Sequence, residues 1–253
     1  MSKWLIVNGD DFGLSPGINE GVRRCHREGI LTSTTILVNQ PWAREAVDLS
    51  RECPALEMGV HLNLTVGKAL TDGRQFEPYP VLYERLQRAS AEEIARFQEW
   101  AEAEWLAQIQ TARSWGLELS HLDSHHHVHG WPWLRPVALH LARLFDLPLR
   151  ALQEEAKAFF RQQGVATPDF FVEHFFGAGV TRENFEKILQ GMAAGFTEVM
   201  THPAVPDWQL LAISSYTENR GRELEILRWP GWQEIMAELG ITPGHWRDIM
   251  RNW

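Results

Sequence analysis

Cysteine is scarce: Cys25 and Cys53 are the only two in 253 residues. Two thiols in a chain of this length give no disulfide framework, which points to a reducing compartment. No stretch approaches the ~20 consecutive apolar residues of a membrane span. The opening run Trp4-Leu5-Ile6-Val7 is also too short for a secretory signal. A cytoplasmic location without a membrane partner is therefore expected. Basic residues are in short supply as well, since 24 Lys and Arg face 33 Asp and Glu for a net charge of −9. That balance argues against a nucleic-acid binder that works by neutralising phosphates. Internal repeats, low-complexity tracts and linkers are missing, and α/β barrels often reach this length undivided. One domain over residues 1–253 is the expectation.

Histidine, by contrast, is concentrated. Five of the 11 histidines and Asp123 fall within the nine residues His121-Leu122-Asp123-Ser124-His125-His126-His127-Val128-His129. Read as a strand, side chains alternate between faces, so His121, Asp123, His125, His127 and His129 share one side. Burying such groups unpaired costs roughly 1–3 kcal/mol each, so that face is expected to serve a purpose. An expression tag does not fit, because the tract is internal, interrupted by Val128 and framed by apolar residues. A solvated histidine-rich loop and a metal site at a strand end both remain. Imidazole and carboxylate are the ligands of catalytic divalent metals.

The rest of the chain alternates strand and helix. Trp4–Asn8 reads as a buried strand ending at Gly9-Asp10-Asp11-Phe12-Gly13, and Ser15-Pro16 opens a helix. Asp11-Phe12-Gly13 matches the metal-binding tripeptide of kinases, but the glycine-rich loop and lysine that a kinase needs upstream have no room before residue 11. Ile30–Asn39 reads as a second strand, Trp42–Arg51 as a helix, and Glu57–Leu64 as a third strand with His61 and Asn63 on one face. Thr65–Ser90 lacks a clear period and reads as a long loop. Ala91–Gly116 is the strongest helix, with Ile94, Phe97, Ala101, Trp105, Ile109 and Ala112 at three- and four-residue steps. Leu117–Ser124 follows as the central strand. Trp131-Pro132-Trp133 offers aromatic rings either to a sugar face or to the core. Further expectations are a helix at Val137–Phe145, a strand at Leu147–Leu152, a helix from Thr181 to Met192 capped by Thr181, and a strand at Glu198–Pro203. The tail from Thr217, with four tryptophans, reads as two structural helices.

Strands thus end at Asp10/Asp11, His61, Asp123/His125 and His202, with helices between them. That order makes a parallel (β/α) barrel or a related α/β layer, in which carboxyl-terminal strand ends converge. One carboxylate and two imidazoles leave open positions on a metal, and a second carboxylate beside them can take a proton from water. The set suits metal-assisted hydrolysis. A phosphoesterase would carry more basic residues near these motifs, and a non-catalytic metal-binding protein would not need the Asp10/Asp11 pair.

Val7-Asn8-Gly9-Asp10-Asp11-Phe12-Gly13-Leu14-Ser15, Gly29–Thr35, Gly59-Val60-His61, His121–His129, Thr167-Pro168-Asp169 and Thr201-His202-Pro203 resemble the YdjC-like carbohydrate deacetylases across nearly the whole chain. The family includes chitooligosaccharide deacetylases, which act in chitin degradation by removing N-acetyl groups from short fragments. The resemblance implies a variant (β/α) barrel of the TIM-like glycoside hydrolase/deacetylase type, often dimeric. It implies Asp11, His61 and His125 as metal ligands, Asp10 as catalytic base and His202 as acid or charge partner. Asp123 then orients an imidazole, while His127 and Trp131 line the wall or touch substrate. Mg²⁺ is the metal implied by the resemblance. Two imidazoles and a carboxylate favour Zn²⁺, Co²⁺ or Mn²⁺ chemically, so Zn²⁺ stands as the alternative. The implied substrate is a short acetylated oligosaccharide of the diacetylchitobiose kind. Another acetylated or lipid-linked sugar is the alternative.

Overall fold

The computed structural model describes residues 2–253. Seven parallel strands carry the chain: β1 (Lys3–Phe12), β2 (Ser33–Ile36), β3 (Glu57–Leu62), β4 (Leu119–Ser124), β5 (Phe170–Val172), β6 (Gly195–Thr201) and β7 (Ile241–Pro243). Helices fill the connections: α1 (Pro16–Glu28), α2 (Ala43–Arg51), α3 (Tyr79–Arg88), α4 (Ala91–Ser114), α5 (Arg135–Phe145), α6 (Glu154–Gln162) and α7 (Arg182–Gly191). The chain ends with α8 (Trp208–Ile213), α9 (Glu218–Leu227), α10 (Trp232–Glu238) and α11 (Trp246–Arg251). Among the described residues, no helix is long and apolar enough to cross a membrane.

Six strands lie in the order β4-β3-β2-β1-β6-β5, and β7 joins the free N-terminal edge of β1 at Lys3–Leu5. Between β4 and β5 the ring is carried by irregular backbone. Leu149 bridges Leu122 of β4, and its N–H bonds the carbonyl of Ala166. This is the variant barrel that the family resemblance implies, and one of the α/β arrangements that the strand-helix alternation allows. The Leu147–Leu152 run forms only that bridge rather than a full strand, because Pro148 lacks an N–H to continue the ladder.

Alternation along β1 sets the layers. Leu5 and Val7 pack outward with the helices, while Ile6 packs with Ala166, Phe196, Trp246 and Ile249 in a smaller cluster. Trp246 is fully buried and stacks on His121 with ring centroids 4.1 Å apart and planes 5° apart. The C-terminal α11 therefore plugs the barrel floor. The tail holds three helices after α8 and a strand, rather than the two helices read from sequence.

Several boundaries differ from the sequence reading. β1 runs on through Phe12, so both aspartates lie within the strand's last residues. The Thr65–Ser90 stretch is not all loop, since it contains α3, and Ser90 with Glu93 forms a capping box at the start of α4. β4 stops at Ser124, and His125–Gly130 forms a tight 3-10 turn with His126 and His127 at φ 54° and 55°. The single histidine face read along one strand therefore breaks after Asp123.

Candidate metal and catalytic site

The adjacent aspartates would point to opposite faces in a regular strand. Here β1 pairs Gly9 with Thr34 but Phe12 with Ile36, so one extra residue is inserted, and Asp11 takes a left-handed φ of 69°. Such a bulge re-aims side chains, and both carboxylates now line one cavity of about 760 Å³ at the carboxyl ends of the strands. His61, His125, His127 and His202 line it too. After His202 the chain must lie close against α1. Gly17 and Gly21 permit it, because a Cβ there would meet the Val205 carbonyl at 2.0 Å and the Ala204 Cα at 2.5 Å.

Asp11 and two imidazoles converge. Its Oδ2 accepts from Arg220 Nη2 at 2.6 Å, whereas its buried Oδ1 has no hydrogen-bond partner. That free oxygen lies 3.5 Å from His61 Nε2 and 3.8 Å from His125 Nε2. Each ring is held from behind: His61 Nδ1 by Asp123 Oδ1 at 2.7 Å, and His125 Nδ1 by Thr65 Oγ1 at 2.6 Å. Because a carboxylate can only accept, His61 presents its N–H to Asp123 and leaves Nε2 toward Asp11. An orphaned buried carboxylate oxygen facing two oriented imidazoles fits a divalent metal.

Asp10, His61 and Asp123 also present ligand-type atoms within 4.8 Å of one another. Arg150 already neutralises that trio. Its Nη2 and Nη1 donate to Asp10 Oδ1 and Oδ2 at 2.8 and 2.7 Å, and Nη1 lies 3.0 Å from Asp123 Oδ2. A cation among those atoms would abut a guanidinium, so the free Asp11 oxygen is the better anchor.

Charge follows this wiring. Burial opposes ionisation of Asp10, yet Arg150 holds it well below the usual carboxylate range. Asp11 is likewise lowered against burial by the Arg220 guanidinium and by the imidazoles of His61 and His125 beside it. Burial lowers His61, but Asp123, Asp11 and Asp10 together push it up to about 10, so Nε2 carries a proton that a metal there would displace. His125 is held well below the usual imidazole value, chiefly by burial. Burial and Arg220 bring His202 down to about 4, so its imidazole is neutral at pH 7. Its Nδ1 has no partner, while its backbone N–H bonds Glu223.

Asp123 does not face the cavity but supports His61 from behind. His127 is on the wall, edge-on to Phe171 with an unpartnered Nδ1. Trp131 does not line the main cavity. It is buried against Tyr79 and Tyr83, beside a smaller cavity of about 210 Å³. His129 is a strut, bonding Ser124 Oγ and the Arg150 carbonyl.

Sequence reasoning missed the two arginines. Basic residues looked scarce near the motifs, yet Arg150 and Arg220 reach the site from the barrel-closing segment and from α9 of the tail. A fully buried Arg150 inside Leu147-Pro148-Leu149-Arg150-Ala151-Leu152 had a signal, since a lone charge in an apolar run needs partners. Arg220 had a fainter one, sharing helical spacing with the buried Glu223, Leu224 and Leu227.

A family model described as YdjC-like protein matches residues 4–238. A carbohydrate deacetylase of Brevibacillus brevis is 39% identical over 88% of this chain and 90% of its own. A chitooligosaccharide deacetylase of Proteus mirabilis is 37% identical over 99% of this chain and 100% of its own. Among solved structures, a protein of Enterococcus faecalis V583, provisionally named for cellobiose-phosphate cleavage, superposes with a TM-score of 0.86. It is 33% identical, with 98% of this chain and 99% of that one covered.

Proposed function

Since the chain belongs to the YdjC-like carbohydrate deacetylase family, we propose that it removes the N-acetyl group from an acetylated amino sugar in a short oligosaccharide such as diacetylchitobiose. The observation that carries this reading is the unpartnered Asp11 Oδ1 facing His61 and His125, with Asp10 and His202 in the same cavity. Asp11, His61 and His125 would hold a divalent metal, which when bound would supply Lewis-acid polarisation of the acetyl carbonyl and a more acidic water.

The chain's own groups do the proton work. Asp10 stays ionised beside Arg150 and accepts a proton from the attacking water. The same ion pair makes Asp10 release that proton readily, so it does not trap it. His202 enters neutral, takes up the proton that Asp10 releases and donates it to the leaving amine nitrogen as the C–N bond breaks. Asp123 fixes the tautomer of His61, and Thr65 fixes the ring of His125.

The two nitrogen donors favour Zn²⁺, Mn²⁺ or Co²⁺ over Mg²⁺, which prefers oxygen. Mg²⁺ remains the metal implied by family resemblance. The same proposal takes residues 1–253 as one functional unit, a homodimer in the cytoplasm. Cys25 and Cys53 are both buried and unpaired, which suits a reducing compartment.

Acetate release by the wild type and Asp10→Asn, with bound metal measured alongside, tests the reading. Turnover is expected to fall roughly 10²–10⁴-fold at unchanged metal content. Full turnover in Asp10→Asn would remove Asp10 from the mechanism.

A further inference from the structure

A cavity of about 760 Å³ lies within the size range that encloses drug-sized ligands, with room beyond one acetamido sugar. Its rim carries an aromatic ring that the mechanism does not use. Phe176 follows β5, lines the cavity and is 45% exposed. One face is covered, because Phe176 stacks on Tyr216 with centroids 4.1 Å apart and planes 14° apart. Its edge approaches His202 at 5.5 Å.

The support beneath it is fixed. The Tyr216 hydroxyl donates to Glu223 Oε1 at 2.6 Å and accepts from the Gly177 N–H at 3.2 Å. Gly177, next to Phe176, turns the chain at φ 58°. The backbone that carries the upper ring is thus tied to the hydroxyl of the lower one. Leaving so much apolar ring exposed forgoes burial, and the bracing holds it ready for a flat apolar partner.

We propose that Phe176, braced by Tyr216, is a subsite for the sugar ring next to the one that loses its acetyl group. The proposal rests on the deacetylase reading and narrows its substrate to at least a disaccharide. A pyranose offers a C–H face to an aromatic ring while its hydroxyls stay wet, the pairing of apolar body and polar rim that aromatic platforms suit. Ser214, Ser215 and Tyr216 offer hydroxyls beside Phe176, and the charged groups Glu173 and Arg220 of the same cavity are of opposite sign, so the lining around the ring has no excess of positive charge for an anionic group. Phe176 is a specificity residue in this scheme, and it takes no proton.

The test is calorimetric titration of deacetylated chitobiose and of glucosamine into the wild type, Phe176→Ala and Phe176→Trp. Thermal melts confirm that each variant is folded, and sedimentation follows the oligomeric state. Phe176→Ala is expected to weaken disaccharide binding roughly tenfold and glucosamine binding less than twofold, with Trp restoring the disaccharide. Equal losses for both sugars, no loss, or no disaccharide binding by the wild type would overturn the subsite. So would a shift of Phe176→Ala to a smaller species with sugar binding intact, which would make this face a contact with a second copy. Binding needs no turnover, so a protein that grips the disaccharide through Phe176 yet releases no acetate would fail as a deacetylase and keep the subsite.

Discussion

His61 turns its two ring nitrogens to two different aspartates: Nδ1 lies 2.7 Å from Asp123 Oδ1, and Nε2 lies 3.5 Å from Asp11 Oδ1. The shorter bond decides what the other nitrogen can do. A carboxylate behind a ligating imidazole fixes its tautomer and raises its basicity, and losing such a partner typically costs metal affinity. Asp123→Asn keeps the shape and one acceptor but removes the charge. Metal affinity, measured by titration calorimetry, is expected to fall roughly tenfold. Unchanged affinity would mean that His61 does not hold the metal through Nε2.

Arg150 is buried among three carboxylates, Asp10, Asp123 and Glu198, with contacts of 2.7, 3.0 and 2.6 Å. Removing one partner of such a network strands the opposite charge. Arg150→Met is expected to lose about 3–5 kcal/mol of stability in urea unfolding. A loss below about 1 kcal/mol, the scale of exposed pairs, would show that water reaches these carboxylates.

Glu223 makes stability depend on pH. Burial pushes its carboxyl up to about 8 from an ordinary 4.5, against the hydrogen bonds from the His202 backbone and Tyr216. The folded chain therefore keeps a proton that the unfolded chain gives up. The contribution is fully present below about pH 4.5 and is lost as pH rises through about 8. Glu223→Gln, which cannot ionise, is expected to match the wild type near pH 5 and exceed it above pH 8 by more than about 1 kcal/mol in denaturant titrations. Parallel stability curves for the two proteins would show Glu223 ionised throughout.

How far the site was legible follows from these residues. Strand ends can be read because an apolar run that stops at Asp10, His61, Asp123 or His202 marks both an element and its polar tip. Alternation with helices then brings the tips together without further information. The bulge at Asp10-Asp11 could not be read, since nothing in two adjacent aspartates states that β1 gains a residue against β2. The turn at His125–His127 was hidden for a related reason: two histidines adopt the left-handed conformation where a glycine would have announced it. Trp131 could not be divided between core and substrate by composition, and Tyr79 and Tyr83 decided for the core. Arg150 and Arg220 come from segments distant in sequence, so their pairing with Asp10 and Asp11 exists only in the folded chain.

The most direct measurement is acetate release from diacetylchitobiose by purified protein, first as isolated, then after chelation, then with Zn²⁺, Mn²⁺ or Mg²⁺ restored. Release that stops with chelation and returns with a divalent metal is the expected result. Release that continues after complete chelation would contradict the metal site at Asp11, His61 and His125. No release in any metal would contradict the deacetylase reading for this sugar.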